Sequence, residues 1–351
     1  MGLQRTGFVA RDRIAAFLKR KNIEFSVQRY LIDAFGHMAL GLFASLLIGT
    51  IFSTIADRAP GLGGLAVMAD YAKSASGPAM AIAIAYALKA PPLVLFACAA
   101  VGAAGNALGG PVGCLIAACT GAEFGKMVSK ETPVDILLTP AVTIIAGSLA
   151  ALFAGSPVER FMTAFGALVM YATELRPFLM GMLVSLLVGV ALTLPISSAA
   201  ICVSLGLSGL AAGAATAGCC AQMVGFAVMS FQENRWGGLI SQGLGTSMLQ
   251  FPNIIKNPYI WVPPTLASII TGPAATVIFR LENIAIGAGM GTSGLVGPFG
   301  VITAMTEGGA RMWLGILFIC FLLPAALSLF FGQIMRAMGL IKPGDLFLPL
   351  V

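Results

Sequence analysis

The chain has 351 residues, 58% of them hydrophobic and 10% charged, and a mean hydropathy of +0.95, whereas an average soluble domain carries roughly 25% charged residues. That balance excludes a water-soluble globular domain, and the formal net charge of +6 belongs to membrane topology and anionic headgroups rather than to nucleic acid. All seven cysteines lie in apolar runs, with no CxxC pair and a single histidine in the chain; this excludes a disulfide framework and a zinc site, and no metal or cofactor is expected.

Residues 1–30 form a basic, partly amphipathic arm in which Arg5, Arg11, Arg13, Lys19, Arg20, Lys21 and Arg29 face only Asp12 and Glu24. The arm lacks the short apolar core of a cleaved signal peptide, and its charge places the N-terminus in the cytoplasm. Beyond it, eight charge-free runs reach the ~20 residues that one crossing needs: 34–56, 90–122, 136–158, 177–232, 236–255, 257–279, 283–306 and 312–335. The run 177–232 is long enough for two. The expected fold is an all-α polytopic membrane protein of about ten transmembrane helices, some of them only partial. Residues 31–351 form one integral membrane unit, with 31–175 and 176–340 as candidate halves.

In the first run, His37 follows Asp33 by one helical turn, so the two share a face; a hydrogen-bonded helix start is expected there, with a proton relay as the alternative. The second run contains Gly109–Gly113 (GGPVG), a GxxxG spacing that favours close helix contact. Glu123, Lys126, Lys130, Glu131 and Asp135 then read as one cytoplasmic loop of mixed charge. Glu174 and Arg176 close a helix before Pro177, and Gly209–Gly213 (GLAAG) repeats the GxxxG spacing. Gln222 lies in a stretch without formal charge, where a buried amide needs either a partner helix or a solute path.

Two segments carry the polar chemistry. In GTSMLQFPNIIKNPYIWVPP (245–264), Gln250, Asn253 and Asn257 stand among four prolines, so the helix must break and expose amides. Neutral hydrogen-bonding side chains with a carboxylate nearby suit a polyhydroxylated or other neutral polar solute. In FRLENIAIGAGMGTSGLVGPFG (279–300), a literal GxGxxG runs over Gly289, Gly291 and Gly294. Its flanks are membrane spans rather than a strand and a helix, so no dinucleotide site is expected. A broken or re-entrant element is, with non-helical backbone lining protein or water, Arg280 and Glu282 at its mouth and Asn283 beside them. GNALGGPVGCLIAA (105–118) and GTSGLVGPFGVITA (291–304) share a GP[VF]G core, which suggests an internal repeat.

The blocks KRKNIEFSVQRYLIDAFGHMALGLFASLLIG, GGPVGCLIAACTGAEFGKMVSKETPVDILLTP, CCAQMVGFAVMSFQEN and GLGTSMLQFPNIIKNPYIWVPP resemble the perfringolysin-regulator-like membrane proteins. These are grouped with the IIC components of the bacterial sugar phosphotransferase system. The resemblance runs from Lys19 to Arg336 and implies a multi-pass protein of the bacterial inner membrane, IIC-like in fold with re-entrant hairpins, homodimeric, and moving a sugar-like solute. Sugar-translocating IIC proteins commonly contact the sugar through an intramembrane histidine and a glutamate. His37, near the start of the first span, does not match that histidine, and Glu282 is the candidate carboxylate from this chain's own pattern. Phosphorylation requires a histidine-bearing IIA and usually a cysteine-bearing IIB domain. This chain holds neither, so separate IIA and IIB proteins supply them or the solute moves unphosphorylated, and the chain is not expected to be an enzyme by itself. The expectation is a permease that contacts its solute through Gln250, Asn253, Asn257, Glu282, Asn283 and Gln222. The alternative is a membrane sensor that signals through its basic arm.

Overall fold

The computed structural model describes residues 15–58, 61–305 and 309–348, so the arm up to residue 14, with Arg5, Arg11 and Arg13, lies outside the described residues. Among the described residues every regular element is helical, and the β-type contact is an isolated antiparallel bridge between Gly209 and Asn283. Helices satisfy their own backbone hydrogen bonds, as a chain this apolar requires in lipid. After a π-helical turn at Gln28–Asp33, the order begins α1 (Ala34–Leu42), α2 (Ile48–Arg58), α3 (Gly64–Ser74), α4 (Ser76–Ala87), α5 (Pro92–Val128) and α6 (Asp135–Thr173). It continues with α7 (Pro177–Thr193), α8 (Ser198–Ser204), α9 (Gly209–Met229), α10 (Phe231–Ile240), α11 (Phe251–Lys256) and α12 (Val262–Pro273). Last come α13 (Ala285–Ala288), α14 (Val296–Ala304), α15 (Gly309–Leu317) and α16 (Leu323–Ala337).

Among the described residues, six helical stretches are long and apolar enough to cross a membrane: Gln28–Ser53, Pro92–Val128, Asp135–Gly155, Gly209–Met229, Pro258–Phe279 and Gly309–Ala337. Shorter apolar helices occupy Ser76–Ala87, Thr163–Thr173, Pro177–Thr193 and Ser293–Ala304. One of the six is not a single rod. A methyl group placed on Gly125 would meet Val94, one on Gly121 would meet Val101, and one on Gly105 would lie 2.8 Å from the Cys114 Cα. These pairings run antiparallel, so α5 folds back on itself. The reversal is at Gly109 (φ −150°, ψ 20°) and Gly110 (φ 58°, ψ −151°), directly before Pro111. The 90–122 run, expected to be one span, is therefore a helical hairpin whose arms, at 1.5 Å per residue, are each about 25 Å long. The Gly109–Gly113 spacing accordingly marks the turn and not one face of a helix.

The contacts divide the chain into two compact units, Met1–Leu42 with Ala75–Val158, and Phe43–Ser74 with Glu159–Val351. The cut within α6 lies short of the 175/176 division read from sequence. In the first unit, α4 packs against α1 and the α5 hairpin. Here the expectation of a mixed-charge loop fails for two residues, because Glu123 and Lys126 sit in the last turns of α5 and are buried. Lys126 Nζ lies 2.7 Å from Glu123 Oε2 and donates to the carbonyls of Asn22 and Leu88. Arg29 donates to the same two carbonyls, and the Tyr30 hydroxyl donates to Glu123 Oε1. Two cations thus share the carbonyls of two chain turns. Lys130, Glu131 and Asp135 do lie in or at the edge of the connecting turn. His37 Nδ1 is 2.8 Å from the Asp33 carbonyl rather than its carboxylate, and its ring rests on Tyr86, so the pair forms no proton relay.

In the second unit α9 is the axis. Its sequence, GLAAGAATAGCCAQMVGFAVM, is dominated by small residues, which let neighbouring backbones approach on every side. Val184 and Val188 of α7 pack on its Ala212, Ala215, Cys219 and Met223. Leu281, Ile316 and Ile319 meet Ala217, and Phe226 and Met229 meet Ile254, Ile260, Ile341 and Leu346. Nearly all of α9 is buried as a result, and this axis orders the polar residues described next.

Candidate functional site

The chain breaks where its glycines and prolines predict. A π-helical turn (Ala274–Phe279) ends at Arg280 in a left-handed conformation (φ 47°, ψ 49°). Residues 281–284 are extended, and α13, a turn, a short 3-10 turn (Ser293–Leu295) and α14 follow. Asn283 is the buried hub of this break. Its side chain donates to Thr216 Oγ1 at 2.7 Å and to the Gly297 carbonyl at 3.0 Å, and accepts from the Ile284 N–H. It thereby ties α9 to both helical ends of the interruption. Ser198 Oγ donates to the Gly289 carbonyl and anchors the turn from the other side. Leu295 sits at φ 60°, a conformation that a bulky side chain adopts only when its surroundings impose it.

Two features face outward from this frame. Glu282 is exposed, held through its backbone by the Met305 sulfur and by the next residue, Asn283, whose N–H donates to the Gly209 carbonyl at 3.2 Å. No ion pair joins Arg280 and Glu282 among the described residues. Beside Glu282 lies the N-terminal part of α9: the Glu282 nitrogen is 3.4 Å from where a Cβ on Gly213, at the start of its second turn, would stand. The first N–H groups of a helix have no intrahelical partner, and the Ser208 side chain does not cap them. The exposed Glu282 and the start of α9 are therefore joined at one edge of the break, where Asn283 bridges Gly209.

The other sequence-derived candidates lie elsewhere in the unit. Gln222, at the middle of α9, is fully engaged: Thr193 and Trp261 donate to its Oε1, and its amide nitrogen donates to Thr265 and Ser268. Gln250 and Asn253 are joined to each other, and with Asn257 they direct their amide donors at carbonyls of residues 340–347. Asn257 also caps the following turn by accepting from the Tyr259 N–H. The structure thus brings Gln250, Asn253 and Asn257 together along one row. It places Glu282 and Asn283 at the break and Gln222 inside the helix packing. Sequence reasoning passed over Asn234 and Gln242, which extend the amide row, and read Arg29 as part of the arm and Glu123 and Lys126 as part of a loop, whereas all three are buried. For the last pair the available signal was their i, i+3 spacing directly after an apolar run.

A family model described as Phosphotransferase system, EIIC matches residues 32–348. No curated protein and no solved structure matches the chain.

Proposed function

The chain belongs to the phosphotransferase-system EIIC family, and from that premise we propose that it binds a sugar or sugar-like polar solute at the 279–300 break and passes it across the bacterial inner membrane. Membership makes it a multi-pass membrane component of sugar transport, and implies a sugar substrate and the IIA and IIB phosphocarriers that usually accompany such a component. The observation that carries the reading is the exposed Glu282 carboxylate set beside the uncapped first turn of α9. A carboxylate accepts hydrogen bonds from sugar hydroxyls and backbone N–H groups donate to them. The backbone that carries both is held by Asn283 and Ser198. Asn283 acts as a positioning residue. Gln222 holds the packing of α9, and Gln250, Asn253 and Asn257 hold the C-terminal segment.

Within this proposal the chain is a perfringolysin-regulator-like member of the family, working as a homodimer. The four shorter apolar helices and the two arms of α5 supply partial crossings toward the expected ten. The basic arm lies in the cytoplasm. In support, Arg20 and Lys21 pair with Glu131, and Arg29 and Lys126 converge on Leu88, so positive residues collect at one end of the first unit.

The test is a thermal-shift screen of the detergent-purified protein against sugars, sugar acids, polyols and nucleosides. One sugar class is expected to raise the melting temperature, and Glu282→Gln is expected to remove that shift with folding retained. A shift that survives in Glu282→Gln refutes the site. Silence across the panel, together with a partner lost on deleting residues 1–21, favours the sensor.

A further inference from the structure

The amide row has an occupant, and the occupant is part of the chain. After α16 the chain makes two overlapping turns, Asp345 N–H onto the Lys342 carbonyl and Phe347 N–H onto the Gly344 carbonyl, with Leu346 and Leu348 buried and Phe347 exposed. The polar contacts go almost entirely to its main chain. The Leu346 carbonyl accepts from Gln250 Nε2 at 3.0 Å and from Asn234 Nδ2 at 2.8 Å, while Asn234 Oδ1 accepts from the Leu348 N–H at 2.8 Å. The Phe347 carbonyl accepts from Asn253 Nδ2 and the Leu340 carbonyl from Asn257 Nδ2, both at 2.9 Å. Asp345 is the side-chain contact, accepting from Asn257 at 2.7 Å.

Behind the row each carboxamide is oriented by the next. Gln242 donates to Ser230 and Gly238 and accepts from Gln250, which in turn accepts from Asn253. This relay orients the donors of Gln250 and Asn253, while Asn257 is held by accepting from the Tyr259 N–H. The backbone participates as well: Arg235, directly after the buried Asn234, stands at φ 51°, ψ −146°, a region that only glycine visits freely, and one that persists where surroundings over-determine it. Apolar contact is supplied by Phe226, Met229, Ile254 and Ile260, which surround Ile341 and Leu346.

We infer that the surface formed by Asn234, Gln250, Asn253 and Asn257 is a peptide-binding cleft that reads the main chain of a short turn-forming segment with buried leucines two positions apart, and that residues 340–348 of this chain are its resident ligand. The inference goes beyond the transport function and does not depend on it. Because recognition falls on backbone groups and two leucine sockets, a second copy of the segment offered in trans competes for the same cleft. A chain whose own segment cannot seat leaves buried amides unpaired, an unfavourable state, and so takes up the free peptide.

The experiment uses the full chain and a fluorescent synthetic peptide of residues 340–351, LIKPGDLFLPLV. Leu346→Asp, which puts a charge in a fully buried socket of the tail alone, is expected to bind the peptide at least tenfold more tightly than the parent chain. Adding Asn253→Leu to that variant is expected to reverse the gain, and a scrambled peptide is expected not to bind. Hydrogen exchange of the same samples reports whether the tail has left: peptides covering 340–348 are expected to be protected in the parent and to exchange at least tenfold faster in Leu346→Asp. Faster exchange without a gain in peptide binding overturns the inference, because the cleft then does not recognise the segment. A tail that stays protected in Leu346→Asp, or equal binding of the scrambled peptide, overturns it too.

Discussion

Gly213→Ala tests whether the N-terminal part of α9 and the 281–283 segment act as one site. A methyl carbon there would lie 2.6 Å from the Leu281 carbonyl carbon, nearer still to its oxygen, and 3.4 Å from the Glu282 nitrogen. Ordinary carbon contacts sit at about 3.5–4.0 Å, so the helix and the extended segment must part by about 1 Å. Overpacking of this kind costs about 1–3 kcal/mol; at about 2–4 °C per kcal/mol for domains of 150–250 residues, the melting temperature falls by roughly 2–12 °C. The control is Gly218→Ala on the same helix, where the methyl would lie 2.7 Å from the Ser185 Cα in the α7 packing, away from the break. Both variants are expected to lose similar stability. Only Gly213→Ala is expected to lose stabilisation by the sugar that stabilises the parent, because it separates Glu282 from the helix N-terminus. Sugar-dependent shifts that persist in Gly213→Ala, or vanish equally in both variants, refute the reasoning.

Lys126→Met leaves the Glu123 carboxylate buried with only Tyr30 as partner and is expected to destabilise by about 3–5 kcal/mol. Lys126→Met with Glu123→Gln should recover part of that loss in chemical unfolding monitored on the detergent-solubilised chain. Gly110→Ala is expected to cost about 1–2 kcal/mol through backbone strain alone, since open space surrounds that position and its φ is 58°; a neutral result in the same assay refutes the hairpin turn. The hydrogen bond from Lys21, with Arg20 nearby, holds the Glu131 carboxyl below its usual range. A carboxylate with a depressed folded-state value stabilises above its unfolded value, about 4.3, and loses that contribution as pH falls further. Hydrogen exchange in residues 15–22 is therefore expected to rise below about pH 4.3, and Lys21→Met is expected to flatten this dependence.

Much of the class of the protein is local information. The 10% charge and the charge-free runs require helices in lipid, because no other open structure satisfies the backbone there. Prolines around 252–264 and glycines from 287 to 300 forecast the interruptions at α11–α12 and α13–α14, because both residue types act on their own backbone dihedrals. Reversal of α5 was not legible, since Gly109–Gly110–Pro111 within an apolar run reads equally well as a kinked span. Burial of Glu123 and Lys126 was hidden because their partners, Asn22, Arg29, Tyr30 and Leu88, come from three other segments.

The amides show most plainly what each level decides. Composition alone marked Gln250, Asn253 and Asn257 as hydrogen-bonding groups at a broken helix, and Glu282 as a carboxylate at another break. Their partners lie far off in the chain: Gln250 meets Leu346, 96 positions away, Asn257 meets Asp345, 88 away, and Asn283 meets Thr216, 67 away. Side-chain type fixes how many hydrogen bonds a group must make, but only the packing of α9 against its neighbours fixes with whom. Tertiary structure therefore assigned the amide row to the C-terminal segment and left Glu282 facing outward.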